Sequence, residues 1–539
     1  MFYKIFILAL TFMNVLQIDA TADEIYDVIV YGGTSSGVIA SIQAVKMGKS
    51  TLLIEPGNHL GGMTSSGLSW VDVQHAGEVG GLAKEFFNRV WMFYQDDTAW
   101  KYEAKHEIDG QASSDAFKNE TMWVLEPHVA ENIFNSMVAE ANVPVVLGER
   151  LDRLHGVKKN GNRINTIVME SGKSFQGRMF IDASYEGDLM ASAGVSYIVG
   201  RESNSQYGET LNGIHPDSLH LGLLINPYVI KGDPTSGLLS RISPNSEGNP
   251  GDGDKGVPAY CYRLCLTKIP SNRIMIKKPV SYNDQKYKIL FRYLESSANI
   301  NKNFFTLNFI PNQKIDANNN GPVSMDYVGM SWNYAEAGYN ERKRIANRHK
   351  KWQKGLIWTL QNHPRIPQNV RDFYAPWGLA KDEFTDNNHW PPLLYIREAR
   401  RMISDVVITE LTARGQSQVN DGIAMCTYPM DSHVIKYFLD GTKVVRSDGG
   451  MYTLLPNPFS ISYGAIVPKQ LECENLLVPV CVSASHVAFG TIRTEPVIMV
   501  LGQSAATAAC LAIDLGVVVQ DVPYDSLREQ LLADNQVIN

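Results

Sequence analysis

The spacing of apolar and polar residues near the start of the chain predicts a strand, a turn and a helix. Residues 26–31 are mostly β-branched or aromatic, a glycine-rich turn follows at residues 32–37, and apolar residues recur with helical spacing over residues 38–47. Residues 50–54 form a second short apolar run that ends at Glu55. Two strands joined by a helix make a βαβ unit, so we expect a parallel sheet.

Later segments predict further strands of this sheet. Between residues 126 and 147, apolar positions at helical spacing lead into a strand at residues 143–147, which we expect to be a third parallel strand. The Asn-Gly-Asn sequence at residues 160–162 predicts the turn of a hairpin. Residues 180–183 predict a buried strand that runs into a polar turn.

The middle of the chain has a different pattern. Residues 244–256 are rich in Gly, Pro, Asn and Asp, which indicates an exposed loop. Strand-like runs at residues 259–266 and 287–293, and a helical run rich in Arg and Lys at residues 339–360, predict a mixed unit inserted into the first one.

After residue 471 the earlier pattern returns. Residues 476–482 predict a strand, residues 483–494 a loop, and a long helix of small residues is expected to begin near Pro496 and to pack on the first sheet. A strand in this position would end at the sheet edge where ligands of α/β proteins collect.

The first 22 residues are typical of a secretory signal peptide. Lys4 precedes a largely apolar stretch at residues 5–16, and the Ala-Thr-Ala at residues 20–22 resembles a cleavage site, so we expect cleavage after Ala22 and export to the periplasm or outside the cell. The alternative is a buried strand or helix of the mature fold. No later segment reaches the roughly 18 unbroken apolar residues of a membrane span, so we expect the mature chain to be soluble.

Composition narrows the range of partners. The chain has 539 residues, 44% of them hydrophobic, and a net charge of −7 without long Lys/Arg runs, which excludes the electrostatic footprint of a nucleic-acid-binding protein and favours a small-molecule partner. Its six cysteines are too few for a disulfide scaffold, and their spacing, without nearby His pairs, predicts no metal site.

The glycine-rich turn has the features of a dinucleotide-binding site. Its sequence is Gly32-Gly33-Thr34-Ser35-Ser36-Gly37. Gly32 permits the tight turn, Gly37 allows the helix to pack closely on the strand, and the backbone amides at the helix N-terminus can bind a pyrophosphate. Glu55 lies 23 residues after Gly32 and can accept hydrogen bonds from a ribose diol.

Thr34 is the departure from the usual motif, because a glycine normally lets the backbone approach the phosphate at this position. Either the turn opens slightly, or the Thr34 hydroxyl itself donates to an oxygen. The alternative to a binding site is a tight strand-helix turn without a ligand.

Several segments beside this turn match a known pattern. The matching segments are residues 32–37, Glu55-Pro56, residues 59–67, residues 182–188, residues 395–398 with Arg400-Arg401, residues 431–433 and residues 480–496. They resemble the FAD-dependent oxidoreductase family of exported bacterial proteins, in which threonine at the position of Thr34 is usual. The likeness spans most of the mature chain.

The resemblance implies FAD as the cofactor, in a fold of the glutathione-reductase type with the flavin along the second glycine segment. Gly61, Gly62 and Met63 would present bare backbone to the ring, unless this segment is only a flexible surface loop, and Val146 would flank the adenine. Gly502 lies in the last helix, whose N-terminal amides would stabilise charge on the reduced flavin; plain helix packing is the alternative.

The fold class that follows is α/β: a Rossmann-like FAD-binding domain on a parallel sheet, with an inserted mixed α+β substrate domain. We expect the FAD-binding domain to comprise residues 23–200 and 391–539, and the inserted domain residues 201–390, after the signal peptide at residues 1–22.

Candidate catalytic residues come from the late segments. We expect His486 to exchange a proton and Arg493 to hold an oxygen of the substrate, because both fall in the predicted loop at residues 483–494, and His433 is the next candidate for the proton. The alternative is that His486 bonds the loop backbone and Arg493 pairs with Glu495.

Two classes of function remain open. The first is an FAD-dependent oxidoreductase of a small hydroxylated, possibly sugar-like, substrate; the second is an exported lyase, hydrolase or carbohydrate-binding protein with structural flavin. His59 lies four residues after Glu55 and could carry a covalent flavin link, but we expect non-covalent binding. The sequence leaves the substrate and the electron acceptor open.

Overall fold

A computed structural model of the chain describes residues 24–108, 120–215, 225–296, 303–321 and 323–538, so the predicted signal peptide lies outside the described residues. The helices within these ranges are α1 (Ser35–Lys46), α2 (Gly62–Ser65), α3 (Gly81–Phe93), α4 (Lys105–Ile108), α5 (Pro127–Glu140), α6 (Asp188–Ser192), α7 (Asn204–Tyr207), α8 (Lys288–Ser296), α9 (Tyr339–Asn362), α10 (Gln368–Tyr374), α11 (Glu410–Ala413), α12 (His486–Ile492), α13 (Glu495–Leu515) and α14 (Tyr524–Ala533).

The strands are β1 (Ile25–Tyr31), β2 (Thr51–Glu55), β3 (Val145–Leu147), β4 (Val157–Asn160), β5 (Arg163–Val168), β6 (Ser174–Asp182), β7 (Tyr197–Val199), β8 (Ile242–Ser243), β9 (Leu264–Thr267), β10 (Arg273–Ile274), β11 (Asn308–Ile310), β12 (Lys314–Ala317), β13 (Gly378–Ala380), β14 (Arg400–Met402), β15 (Gly422–Cys426), β16 (Met430–Ser432), β17 (Lys436–Leu439), β18 (Val445–Asp448), β19 (Met451–Thr453), β20 (Phe459–Ser462) and β21 (Leu476–Leu477).

The first sheet is parallel at its centre. Its order is β3-β2-β1-β6, with β21 parallel to the end of β6 and the hairpin β4-β5 antiparallel to its beginning. Strands β1 and β2 are almost continuously apolar because helices cover both faces of a parallel sheet, and Val28, Val30 and Leu53 are fully buried. The predicted βαβ unit, third parallel strand and hairpin are confirmed.

Helix α13 packs along α1 in the core of this unit. It is apolar on all sides, as a buried helix must be. Among the described residues it alone is long and apolar enough to cross a membrane, but 94% of its apolar window is buried inside the protein.

A second unit is built on the antiparallel sheet β10-β13-β9-β12-β11 with helices α8, α9 and α10. It has its own apolar core, in which the ring of Trp352 stacks between Tyr287 and Tyr327 at centroid distances of 4.8 and 4.7 Å. The α/β fold class with an additional mixed unit is therefore confirmed; the boundaries at residues 200 and 390 stay predictions.

Three predicted elements were wrong in type or length. The run at residues 287–293 lies mostly in helix α8, whose buried residues include Leu290 and Leu294, one turn apart; a short apolar run fits a strand and a buried helix equally well. Only the end of residues 259–266 is a strand, β9. Residues 476–482 contribute just two residues to the sheet as β21, because Val478 leaves β6 and donates its N–H to the Ile466 carbonyl.

A buried lysine links the two units. The Lys314 ammonium, on β12, is fully buried and lies 2.6 Å from a Glu126 oxygen, 2.8 Å from Asp382 and 2.6 Å from Glu383. Burial opposes the charge of nearby His128, but Glu383 and Glu126 outweigh it and raise the pKa of His128 to about 9. The carboxylate oxygens of Glu126 and Glu383 and a ring nitrogen of His128 lie within 4.8 Å of one another. The ammonium of Lys314 contributes positive charge to this cluster.

Candidate active site

The turn between β1 and α1 requires glycine at two positions. Gly32 has φ of 103°, and a Cβ there would lie 2.7 Å from the backbone nitrogen of Ser184, at the end of β6. A Cβ on Gly37 would overlap the carbonyl oxygen of Gly32. The turn is therefore pressed against the carboxyl ends of the parallel strands, where α/β proteins bind their ligands.

Thr34 caps helix α1. Its hydroxyl donates to the Ala183 carbonyl at 2.8 Å and accepts the N–H of Gly37 at 3.2 Å. Because a hydroxyl has one proton, the predicted option that Thr34 donates to a ligand oxygen is wrong in this geometry. Thr34 instead ties the turn to β6.

The start of α1 offers donors to an anion. The hydroxyl of Ser36 is fully buried and has no hydrogen-bond partner among the described residues, although it stands in the first turn of a twelve-residue helix. Helix N-terminal amides suit a pyrophosphate, whose charge the helix dipole also stabilises. The Ser36 hydroxyl faces α13 instead, since a Cβ on Gly502 would lie 2.7 Å from it. The donor set therefore fits the predicted dinucleotide.

Glu55 ends β2 beside the same turn. One of its carboxylate oxygens accepts the N–H of Gly33 and the other that of Gly57, each at 2.6 Å, so each oxygen keeps a lone pair for another donor. Burial, only partly offset by these amides, raises the pKa of Glu55 to about 7. On β3, Val146 pairs with Ile54 of β2, the residue before Glu55. These oxygens fit the hydroxyls of a ribose diol.

The second glycine segment lies directly against the first. The Gly61 N–H donates to the Gly33 carbonyl at 2.8 Å, and the Met63 N–H donates to the Tyr185 hydroxyl at 2.8 Å. A Cβ on Gly62 would collide with that same hydroxyl. The glycines thus permit close packing of this segment on its neighbours, and the expectation that its backbone faces the flavin ring stays a prediction.

Glu495 joins the segments around the turn. Its carboxylate accepts hydrogen bonds of 2.7 Å from Ser35, Thr64 and Tyr185. Burial raises the pKa of Glu495, and these three hydroxyls oppose the rise. The sequence placed Glu495 only in the late block or as a partner for Arg493, because its partners are distant along the chain.

A sequence profile described as FAD dependent oxidoreductase matches residues 27–531. The chain belongs to the FAD dependent oxidoreductase family. FAD is thus the cofactor of this family, and the donors of the glycine turn and the acceptors of Glu55 fit it.

Comparison with individual proteins finds only remote likenesses. No curated protein matches the chain. Among solved structures, L-amino acid deaminase from Proteus vulgaris matches at 15% identity over 35% of this chain and 55% of its own, with a TM-score of 0.24. L-proline dehydrogenase from P. horikoshii matches at 14% identity over 33% of this chain and 59% of its own, with a TM-score of 0.23. The chain therefore spans less than two thirds of either protein.

Two predicted site residues of this FAD dependent oxidoreductase have structural contacts instead. Helix α13 begins at Glu495, so Gly502 lies about two turns inside it; a Cβ there would collide with the Ser36 carbonyl, and Gly502 serves helix packing.

His486 begins helix α12 rather than lying in a loop. Its side chain is 1% exposed, with Nδ1 2.7 Å from Glu398 and Nε2 3.3 Å from the Ser432 hydroxyl. The prediction that His486 faces the substrate is therefore corrected.

Arg493 ends α12 beside the second glycine segment. It donates to Asp431 Oδ2 at 2.8 Å and to the Tyr395 hydroxyl at 2.7 Å, so the alternative pairing with Glu495 is wrong. Tyr395 packs in a small apolar cluster with Met63. Arg493 is thus one side chain away from the segment along which we expect the flavin.

His433 lines a cavity of about 180 Å³. Polar side chains share this cavity with it: Asn319, Ser324, Asp326, Tyr428 and Asp431. His433 Nδ1 lies 2.8 Å from Asp326 Oδ2, and Nε2 lies 3.6 Å from Asp431 Oδ2. Of the two predicted histidines, His433 is the one with access to a space that a small molecule can enter.

Acidic and basic side chains near this cavity shift one another's pKa. Burial opposes ionisation of Asp431, but His433, Arg493 and Arg397 outweigh it and lower its pKa. Burial raises the pKa of nearby Asp72, and Asp431 adds to the rise while Arg493 opposes it. Asp431 is therefore an ionised acceptor at the cavity. No local pattern of the sequence pointed to Asp72.

We expect FAD binding to tighten as pH rises through about 7. Ribose hydroxyls that donate to the ionised Glu55 carboxylate favour its charged form, so binding must remove a proton at lower pH. Glu55→Gln should weaken binding by about 1.5–3 kcal/mol above pH 7, the range for hydrogen bonds to charged groups, and flatten the pH dependence. Fluorescence titration of the apoprotein with FAD measures both.

The control for this experiment is Glu170→Gln, which changes a half-exposed carboxylate paired with Arg150. It should leave the affinity for FAD and its pH dependence unchanged. An unchanged affinity of Glu55→Gln for FAD would place the ribose contact elsewhere.

Proposed function

We propose that this protein is an FAD-dependent oxidoreductase that oxidises a small hydroxylated, sugar-like substrate in the cavity beside His433. The observation that carries the proposal is the pairing of His433 with two carboxylates at a polar cavity, where Arg493 binds one of the two, Asp431. Carboxylate and amide oxygens accept hydrogen bonds from hydroxyl groups, and the cavity is lined by Asp326, Asp431 and Asn319.

Each residue has a chemical task in this proposal. FAD, when bound, would supply the acceptor for two electrons from the substrate. His433 accepts the hydroxyl proton at Nε2, for which an imidazole is suited near neutral pH. Arg493 holds Asp431 in its ionised form, and its remaining N–H donors orient an oxygen of the substrate.

We also propose that the FAD-binding fold is of the glutathione-reductase type and that the protein is exported. The first is supported by the parallel sheet with the glycine turn and Glu55 at adjacent strand ends. Export is supported by Lys4, the apolar stretch at residues 5–16 and the small residues before Asp23.

The purified protein tests the proposal directly. We expect it to be yellow, to release FAD on heat denaturation, and to lose its flavin absorbance under anaerobic conditions with at least one compound from a panel of sugars and polyols. Dithionite provides the positive control for reduction. A colourless protein that binds no added FAD would contradict the cofactor; flavin that dithionite reduces but the whole panel does not would contradict the substrate class.

We expect the flavin to be bound without a covalent link. His59 lies where a link could form, but its Nδ1 lies 2.8 Å from Glu131 and its Nε2 3.1 Å from Asp386, so both ring nitrogens are engaged. Acid precipitation should leave a white pellet and a yellow supernatant. A pellet that stays yellow after washing would show a covalent bond, and His59→Ala would then reveal whether His59 forms it.

A further inference from the structure

The imidazole of His433 has two different neighbours. Its Nδ1 lies 2.8 Å from Asp326 Oδ2, which is hydrogen-bond distance, whereas its Nε2 lies 3.6 Å from Asp431 Oδ2, which is too long for a direct hydrogen bond. Asp326 lies 107 residues before His433 and belongs to the second unit. The ring therefore has a direct hydrogen bond at Nδ1 and only a longer contact at Nε2.

Asp326 is kept as a carboxylate by a buried arginine. The Arg397 guanidinium lies 3.0 Å from Asp326 Oδ1, and both side chains are almost wholly buried. Burial opposes ionisation of Asp326, but Arg397 and His433 outweigh it and lower its pKa to about 2. An ionised carboxylate can only accept hydrogen bonds, so the Nδ1 that contacts it must carry a proton.

We propose that Asp326 is a positioning residue that fixes His433 in the tautomer with the proton on Nδ1 and leaves Nε2 free for the hydroxyl proton of the substrate. In that step the O–H bond of the substrate breaks, an N–H bond forms at Nε2, and two electrons leave the substrate carbon with its hydrogen for bound FAD. The use of Nε2 rests on the proposed function, whereas the control of the tautomer by Asp326 does not.

Other charged groups lie around the same ring. Asp431 comes from β16; Arg493, at the end of α12, pairs with Asp431, and Arg397, from the segment before β14, pairs with Asp326. Arg493 binds Asp431 Oδ2, the oxygen nearest to Nε2, and thereby competes for it. Among the described residues, Asp326 is the carboxylate within hydrogen-bond distance of His433, so the effect of its removal on the tautomer is specific.

Nitrogen NMR of the folded protein with ¹⁵N-labelled histidine tests this proposal without a substrate. The signals of His433, one of 12 histidines, are those that disappear in His433→Gln. For the neutral ring of the wild type we expect the shift of a protonated Nδ1 and an unprotonated Nε2. In Asp326→Asn the side-chain amide can donate to Nδ1, so we expect the proton to move to Nε2.

Asp431→Asn is the matched control, and it should leave the proton on Nδ1. A wild-type ring that is neutral with its proton on Nε2 would overturn the proposal, and this measurement does not depend on whether Asp326→Asn folds. An Asp326→Asn protein with the wild-type tautomer would overturn it as well.

The outcome also separates this inference from the proposed function. If the tautomer is as expected but no hydroxylated compound reduces the flavin, the function fails and the role of Asp326 in the tautomer stands. With a compound that does reduce it, Asp326→Asn should lower the rate by roughly 100- to 10,000-fold, and the double variant with His433→Gln should be no slower than His433→Gln alone. Additive losses in the double variant would contradict a role through His433.

Discussion

His433→Ala should retain FAD but reduce its flavin with substrate about 100- to 10,000-fold more slowly than the wild type. The reason is that the proposed function uses His433 to take the proton, and no other imidazole of the described chain lines this cavity. FAD should stay bound because the contacts of the turn and Glu55 do not involve His433. Stopped-flow absorbance of the flavin measures the rate.

His486→Ala is the informative comparison for this variant. It removes a buried partner of Glu398, which costs stability, but it should reduce its flavin at close to the wild-type rate per folded molecule. The reverse pattern, a normal rate for His433→Ala and a large loss for His486→Ala, would return the proton-transfer role to His486.

Lys314→Met should lower the free energy of unfolding by about 3–5 kcal/mol, the range found when one partner of a buried ion pair is removed. The change leaves Glu126, Asp382 and Glu383 facing one another without their shared ammonium. Chemical denaturation followed by fluorescence measures the difference. The deficit should shrink in acid, because protonation of these carboxylates removes the repulsion.

Lys49→Met provides the matched control, since Lys49 pairs with the half-exposed Asp514. Exposed pairs contribute at most about 1 kcal/mol, so this variant should unfold close to the wild type. Equal effects of the two substitutions would mean that the Lys314 cluster is solvated or replaceable.

The βαβ unit and the FAD turn could be predicted because their signals are local. A change from strand to helix spacing, glycines at fixed positions and an acid at the end of the next strand all fall between Tyr26 and Glu55. The error at helix α8 has an equally local origin, since a short apolar run carries no reliable period. Elements formed by one continuous segment with a clear period can therefore be predicted from the sequence.

The proposed catalytic cluster of Asp326, His433 and Asp431 could not be predicted in this way. Asp326 and His433 lie 107 residues apart in the sequence, and nothing in either local pattern encodes that they meet. His486 looked suitable as an acid-base group because it was expected in a loop, but Ser485 caps a helix there and the ring turns inward toward Glu398. Residue type indicated the candidates, and only packing distinguished them.

The hydrogen bonds of Glu495 to Ser35, Thr64 and Tyr185 set the order in which the parts of the FAD site can come together during synthesis. Ser35, at the start of α1, is made 460 residues before the carboxylate that it contacts. At about 5–20 residues per second, the ribosome needs roughly 20–90 s to cover that distance. During this time the glycine turn exists without α13 behind it, so tight loading of FAD has to wait until the end of the chain has emerged and folded back onto its beginning.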